Sequence, residues 1–111
     1  MSYRKVAPVL KALGLTYEHV FLDLLKQEQK GAEHTQFNPN GRIPTLIDHT
    51  NGDFAVWESN AILLYLVDKY DTEKKFSATD EKERASMIQW LFFQASGQGC
   101  VISIHYVAYE F

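Results

Sequence analysis

The chain has 111 residues, 46% of them hydrophobic and 14% aromatic, with 11 Lys and Arg residues against 14 Asp and Glu residues and a net charge of -3. Such a length and apolar content allow a chain to bury a core, which excludes an intrinsically disordered protein. The negative charge and the scattered basic residues offer no positive surface for phosphate, so we expect no nucleic-acid partner.

The cysteine and histidine content predicts the compartment and argues against a metal site. The single cysteine, Cys100, allows no internal disulfide and no cysteine-built zinc site, and it is compatible with a reducing compartment. The four histidines have no metal-ligand spacing, so we expect no metal. The first residues lack the apolar stretch of a signal peptide, and no apolar run reaches the roughly 18 residues of a membrane span. We therefore expect a cytoplasmic protein with no membrane partner.

The first part of the chain predicts a helix followed by a strand. Apolar residues recur at helical spacing over residues 4–13, and Gly14 follows where a C-cap glycine belongs. Residues 17–22 are rich in β-branched and aromatic side chains, which predicts a strand. The polar residues 23–37 predict a loop with one helical turn over residues 32–37. Together these elements indicate an α/β unit.

A hairpin is predicted in the middle of the chain. The turn-forming residues 38–41 precede a short apolar run over residues 45–48. A second run covers residues 54–57, and the Asn51-Gly52 pair lies between the two. An Asn-Gly pair between apolar runs is the strongest short-range signal of a β-hairpin. We therefore expect two antiparallel strands.

Two helices are predicted after the hairpin. Residues 60–70 are almost entirely apolar, and Ser59 precedes them as a suitable N-cap. The charged stretch that follows predicts a linker. From Asp80 onward the apolar residues return to helical spacing, and the pattern continues to Tyr109.

Four segments carry a resemblance to a known family, namely GLTYEHVFLD, NPNGRIPTLID, VWESNAILLYLVDKY and WLFFQASG. Together they resemble the N-terminal half of cytosolic glutathione transferases, most of all the fungal subgroup that contains the yeast nitrogen-regulation prion protein. The resemblance implies an α/β, thioredoxin-like glutathione-binding domain over residues 1–71, with its first strand missing. It further implies a linker over residues 72–79 and an incomplete all-α C-terminal domain over residues 80–111.

The resemblance also implies a glutathione site around Glu58 and Ser59. Glu58 would pair with the ammonium of the γ-linked glutamate, and the glutamate carboxylate would lie at the N-terminus of the helix that begins near Ser59. The proline of the RIP motif, Pro44, is cis in the family, where the residue before it pairs with the cysteine backbone of glutathione, a role that falls to Ile43. On the residues alone, Glu58 and Ser59 are a helix N-cap beside a solvated acid, and Pro44 is an ordinary turn proline.

Five further residues are candidates by the same resemblance. Arg42 would screen a ligand carboxylate. Gln29 and Lys30 fall where related fungal sequences carry polar residues around the glycine end of glutathione. Ser2 and Tyr3 stand where the family carries its catalytic loop, and a hydroxyl there would stabilise the glutathione thiolate.

The predicted function is that of a glutathione transferase-like protein. It would bind glutathione as a co-substrate and conjugate it to small electrophiles or reduce peroxides, and the family pairs as a homodimer. Two alternatives stay open at this point. In the first alternative the chain is a noncatalytic regulatory or binding module. In the second it is an inactive fragment of a longer transferase.

Overall fold

The computed structural model describes residues 3–98 and the side chains of residues 4–96. It divides into two compact units, one ending at Thr72 and the other beginning at Glu73. The first unit holds three helices and a two-stranded sheet, and the second unit begins with an irregular segment that leads into a long helix. Each unit is described by itself below.

Helix α1 spans Tyr3–Ala12, close to the predicted bounds. Val6 and Leu10 lie one turn apart on the same face of this helix, and both are buried. Gly14 ends the helix with a positive φ of 71°, a conformation that costs glycine little because it has no Cβ. The Leu15 N–H then donates to the Leu10 carbonyl at 3.0 Å. The predicted helix and its glycine stop are confirmed.

The sheet is the predicted hairpin. Strand β1 spans Thr45–Asp48 and strand β2 spans Phe54–Trp57, and they pair antiparallel with Thr45 opposite Trp57. A short 3₁₀ turn, His49–Asn51, joins them, and Gly52 supplies the left-handed φ of 65° that the connection needs. The start of β1 and the end of β2 therefore lie together at one end of the sheet, and the 3₁₀ turn lies at the other end.

Helix α3 spans Ser59–Tyr70 and forms the core of the first unit with α1. Ile62 and Leu66 are 0% and 1% exposed, and they lie in one cluster with Val6 and Leu10. Each such buried aliphatic side chain contributes roughly 1.5 to 3 kcal/mol. Half-buried side chains complete the cluster from α1, the turn after it, the hairpin and α3 itself, namely Val9, Leu13, Leu15, Leu46, Val56, Tyr65 and Tyr70.

The strand predicted over residues 17–22 is wrong. Residues 15–23 have no regular secondary structure, and Val20 and Phe21 are 70% and 80% exposed. Strand propensity needs a neighbouring strand to satisfy the backbone and cover the side chains, and the sheet in the described part of the chain contains only β1 and β2. The helical turn predicted in the following loop is present as α2, Ala32–Thr35, preceded by a 3₁₀ turn over Glu28–Lys30.

The second unit contains helix α4, Glu81–Phe93. Asp80 caps it, because its side chain accepts from the Glu83 N–H at 2.8 Å, and Glu83 in turn accepts from the Thr79 N–H at 2.9 Å. The sequence predicts one helix continuing past residue 97, but a π-helical turn follows at Gln94–Gln98. The rest of that prediction lies outside the described residues. The aromatic side chains Trp90 and Phe92 on this helix are 64% and 68% exposed.

Candidate functional site

A shallow open pocket of about 140 Å³ lies at the end of the sheet where α3 begins. Its lining comes from two stretches of chain, the turn before β1 and the first residues after β2. The lining residues are Asn38, Asn40, Arg42, Ile43, Pro44, Glu58 and Ser59. Five of these seven are residues that the sequence predicts as glutathione contacts, and the hairpin brings them together because its two strands meet at this end.

The turn before β1 is held by the buried side chain of Asn38. Its Nδ2 donates to the Arg42 carbonyl at 2.8 Å and to Thr45 Oγ1 at 3.0 Å, and its Oδ1 accepts from the Asn40 N–H at 3.1 Å. A side chain that is 1% exposed and satisfied in this way fixes the backbone around it. Asn38 therefore determines the course of the loop that carries Arg42 and Ile43 into the pocket.

The Ile43-Pro44 peptide bond is cis, as the resemblance implies. Ile43 and Pro44 both line the pocket and are half-buried. Arg42, next to them, is exposed at the pocket edge. The three residues of the RIP motif thus share one wall of the pocket.

Glu58 has a backbone conformation that is unusual for its residue type. Its φ is 71° and its ψ is 116°, and it occupies the N-cap position of α3 without using its side chain as a cap. A non-glycine residue at such a φ costs of order 1 to 3 kcal/mol, and such outliers cluster at functional sites. Within the described part of the chain, no hydrogen bond reaches the exposed Glu58 carboxylate. The predicted N-cap, Ser59, is instead the first residue of the helix.

A lysine that the sequence argument passed over lies beside Ser59. Lys5 Nζ donates to Ser59 Oγ at 3.2 Å and to Asn60 Oδ1 at 3.3 Å. Val6, next to Lys5 on α1, packs in the core against α3, which places the lysine at the start of α3. Burial lowers the pKa of Lys5, and the Glu58 charge acts in the opposite direction.

Lys30 and Gln29 are not among the residues that line the pocket. Lys30 Nζ donates to the Asn40 carbonyl at 3.1 Å, so Lys30 stabilises the turn before β1. The Gln29 side-chain oxygen Oε1 is buried and accepts no hydrogen bond from the described residues. Tyr3 begins α1, but its side chain lies outside the described residues, as does all of Ser2.

Sequence reasoning missed three residues of this site. Asn38 and Asn40 were assigned to turn chemistry alone, although an Asn that begins an Asn-Pro-Asn-Gly turn can bond its own backbone and become a buried brace. Lys5 gives no signal in the sequence, because only the packing of α1 on α3 brings it to Ser59.

Two further searches cover the described residues only. Among residues 3–98 no group of three or more His, Cys, Asp and Glu side chains has a geometry that could hold a metal ion. No helix in that range is long and apolar enough to cross a membrane.

A comparison with protein families decides the family. The model of the glutathione S-transferase N-terminal domain matches residues 2–68, which is more than half of the chain. The chain belongs to the glutathione S-transferase family. This confirms the family and the thioredoxin-like fold class that the motifs imply. It also places the pocket and the hairpin inside the family's N-terminal domain.

Fungal glutathione transferases are among the most similar proteins. The chain is 57% identical over 98 residues to glutathione S-transferase 2 of Schizosaccharomyces pombe, an alignment covering 87% of this chain and 43% of that protein. The crystal structure of the glutathione transferase URE2P6 from Phanerochaete chrysosporium with oxidized glutathione has a TM-score of 0.85 and 57% identity, covering 88% of this chain and 45% of that one.

The structure of Ure2p in complex with glutathione has a TM-score of 0.86 and 41% identity, covering 92% of this chain and 47% of that one. Ure2p is a yeast prion protein whose nitrogen regulation fragment has also been solved. The chain therefore spans less than half the length of each of these relatives.

Proposed function

We propose that this chain binds glutathione in the pocket at the start of α3. The observation that carries the proposal is the meeting of Glu58, Ser59 and Ile43 in one pocket, since these residues offer groups for the γ-glutamyl head and the cysteinyl backbone of glutathione. Two solved relatives with similar folds were crystallised with this kind of ligand, one in complex with oxidized glutathione and the other in complex with glutathione. Their sequences are 57% and 41% identical to this chain.

The γ-glutamyl head of glutathione carries an ammonium and a carboxylate. Glu58 supplies the counter-charge for the ammonium, and its carboxylate has no hydrogen bond to give up within the described chain. The carboxylate of the ligand lies at the N-terminus of α3, where the first N–H groups of the helix have no intrahelical partner and the dipole favours an anion. The Ser59 hydroxyl is at the same place. The Ile43 backbone pairs with the cysteinyl residue, and Arg42 faces the outer side of the pocket.

The chemistry that follows is attack by the glutathione thiolate on a small electrophile. A carbon–sulfur bond forms as the leaving group departs with its electron pair, and the thiol proton is lost before the attack. A thiol has a pKa of about 8.5, so a donor near the sulfur is needed to hold the thiolate at neutral pH. Ser2 and Tyr3 remain the predicted donors. The reduction of peroxides by the same thiolate also remains a prediction.

A glutathione titration of the full 111-residue chain, followed by the amide signals in heteronuclear NMR spectra, tests the proposal. Saturable shifts are expected at Ile43, Glu58 and Ser59, with much smaller shifts at the hairpin turn around Gly52. A dispersed spectrum that does not respond to millimolar glutathione would contradict the proposal, because it would show a folded chain without the site.

A noncatalytic regulatory role is the second candidate. The observation that favours it is the similarity to Ure2p, which has a nitrogen regulation fragment. An assay of glutathione conjugation to 1-chloro-2,4-dinitrobenzene separates the two roles. Turnover above the uncatalysed rate that is lost in Glu58→Gln supports the transferase, whereas saturable binding without turnover supports the regulatory module or an inactive fragment. The domain bounds, the homodimer and the cytoplasmic location stay predictions.

A further inference from the structure

Lys5 is a charged residue of the site to which the proposed function has assigned no part. It is half-buried on the first turn of α1, and its Nζ lies within hydrogen-bond distance of Ser59 and Asn60. These two residues are the first two of α3, the helix whose N-terminus would receive the ligand carboxylate. Lys5 therefore reaches the site from a different element than the residues of the pocket wall.

The contact with Lys5 sets the direction in which the Ser59 hydroxyl donates. A lysine ammonium can only donate hydrogen bonds, so Ser59 Oγ must accept from it. The hydroxyl proton of Ser59 is then left to donate elsewhere. An anion in front of the N-terminus of α3 is an acceptor that this proton can reach, and it would find the N–H groups of the first helical turn in the same place.

The charges around Lys5 form a pair with opposite signs. A cation at the N-terminus of a helix is opposed by the helix dipole, so the position is unfavourable unless negative charge lies close by. Glu58 provides one such charge, and its effect on Lys5 is to favour the ammonium form. A ligand therefore fits the site best when it brings an ammonium for Glu58 and a carboxylate close to Lys5. A zwitterionic α-amino acid head meets both requirements.

We propose that Lys5 is a positioning residue which orients the Ser59 hydroxyl and, with Glu58, makes the site selective for the zwitterionic γ-glutamyl head of glutathione. The proposal rests on the proposed function, because it assigns Lys5 a part in the same site. It predicts that Lys5 contributes to the recognition of the ligand carboxylate and not to the recognition of the ammonium or the thiol.

The test uses calorimetric titrations of the full chain with two ligands. One is glutathione, and the other is γ-aminobutyryl-cysteinyl-glycine, which keeps the ammonium and lacks the α-carboxylate. Lys5→Met should weaken glutathione binding about tenfold and leave the affinity for the analogue within about twofold, because only glutathione carries the α-carboxylate that the oriented Ser59 hydroxyl would bind. Lys5→Arg should restore most of the preference for glutathione.

Two controls keep the result interpretable. Lys11→Met removes an exposed lysine from the last turn of the same helix and should change neither affinity. Lys5→Gln keeps a hydrogen-bond donor without the charge, so it replaces Lys5→Met if that variant fails to fold. Lys5→Gln should lose at least half of the contribution of Lys5 to glutathione affinity, expressed as the logarithm of the dissociation constant.

Equal weakening of both ligands by Lys5→Met, or no weakening of either, overturns the proposal for Lys5 while the proposed function stands. A folded wild-type chain that binds neither ligand overturns both.

Discussion

The two ends of the hairpin each present a carboxylate, and the two carboxylates are treated in opposite ways. At the turn end, Asp48 accepts from the hydroxyls of Tyr65 at 2.7 Å and Thr50 at 2.7 Å, and also from the Tyr70 hydroxyl. At the pocket end, Glu58 accepts no hydrogen bond within the described chain. Asp48 is satisfied by hydrogen bonds within the fold, whereas Glu58 is the proposed partner of the ligand ammonium.

The contrast extends to the protonation of Asp48. Burial acts to raise its pKa, but the hydrogen bonds from Tyr70, Tyr65 and Thr50 outweigh burial and hold the pKa well below its usual value of 3.8. Burial, and after it the hydrogen bond to Asp48, raises the pKa of Tyr65, and the hydrogen bond to Asp48 is the main cause that raises the pKa of Tyr70. The turn end therefore ties the hairpin to the last turns of α3 and contributes stability. The pocket end keeps a strained backbone at Glu58 and a carboxylate to which no described residue donates a hydrogen bond, and strained residues cluster at functional sites.

The largest expected effect is on binding at the pocket end. Glu58→Gln removes the counter-charge of the ligand ammonium and should weaken glutathione binding by about 1.5 to 3 kcal/mol, or roughly 10- to 150-fold. The free energy of unfolding should change by less than about 0.5 kcal/mol, because no protein hydrogen bond to the carboxylate is lost. Calorimetry measures the first quantity and urea denaturation the second. Glu33→Gln, at an exposed acid on α2, is the matched control and should bind normally.

The next largest effect is expected at Asn38, whose side chain both stabilises the fold and holds the loop that carries Ile43 to the pocket. Asn38→Ala removes a buried side chain that makes three hydrogen bonds, so the free energy of unfolding should fall by about 2 to 3 kcal/mol. Glutathione affinity should fall as well, because the loop that carries Ile43 loses its brace. Denaturation and calorimetry on the same sample check both. Asn51→Ala, in the exposed turn at the other end of the hairpin, should leave the glutathione affinity unchanged. A loss of affinity in this variant would contradict the view that only the pocket end binds the ligand.

At the turn end, Asp48→Asn should lower the free energy of unfolding by about 1 to 2 kcal/mol, the figure allowing for solvent screening of a half-buried group. The folded pKa lies below the unfolded value of 3.8, so the unfolded chain takes up the proton first as the pH falls. The stability from Asp48 is therefore present above about pH 4 and is lost below it. Unfolding measured from pH 7 to pH 2.5 should show a shallower acid slope in the variant, and an identical slope would count against this role.

The smallest expected effect concerns the strain at Glu58. Glycine adopts a φ of 71° at little cost, so Glu58→Gly should stabilise the fold by up to about 1 kcal/mol while glutathione binding is lost. Thermal unfolding checks the first part. Glu58→Ala, which keeps the Cβ and loses the charge, separates the two contributions, because it should bind as poorly without the gain in stability.

The outcome at particular residues shows how far sequence reasoning reaches. The hairpin was predictable because Asn51-Gly52 is a local signal, and α1 and α3 were predictable because their apolar spacing is local as well. The absence of a strand at residues 17–22 was not predictable, since a strand depends on a partner strand that is not a neighbour in the sequence. In the site, the RIP motif (residues 42–44) and the Trp-Glu-Ser sequence at residues 57–59 pointed to five of the residues that line the pocket. Lys5 could not be found in this way, because its place beside Ser59 arises only from the packing of α1 on α3.

The most direct measurement is a crossed comparison of Glu58→Gln and Asp48→Asn, with the glutathione dissociation constant and the free energy of unfolding determined for both variants and for the wild-type chain. The division of labour predicts that Glu58→Gln loses at least tenfold in affinity at unchanged stability, and that Asp48→Asn loses stability at unchanged affinity. Wild-type affinity in Glu58→Gln, or an equal loss of affinity in both variants, would contradict it.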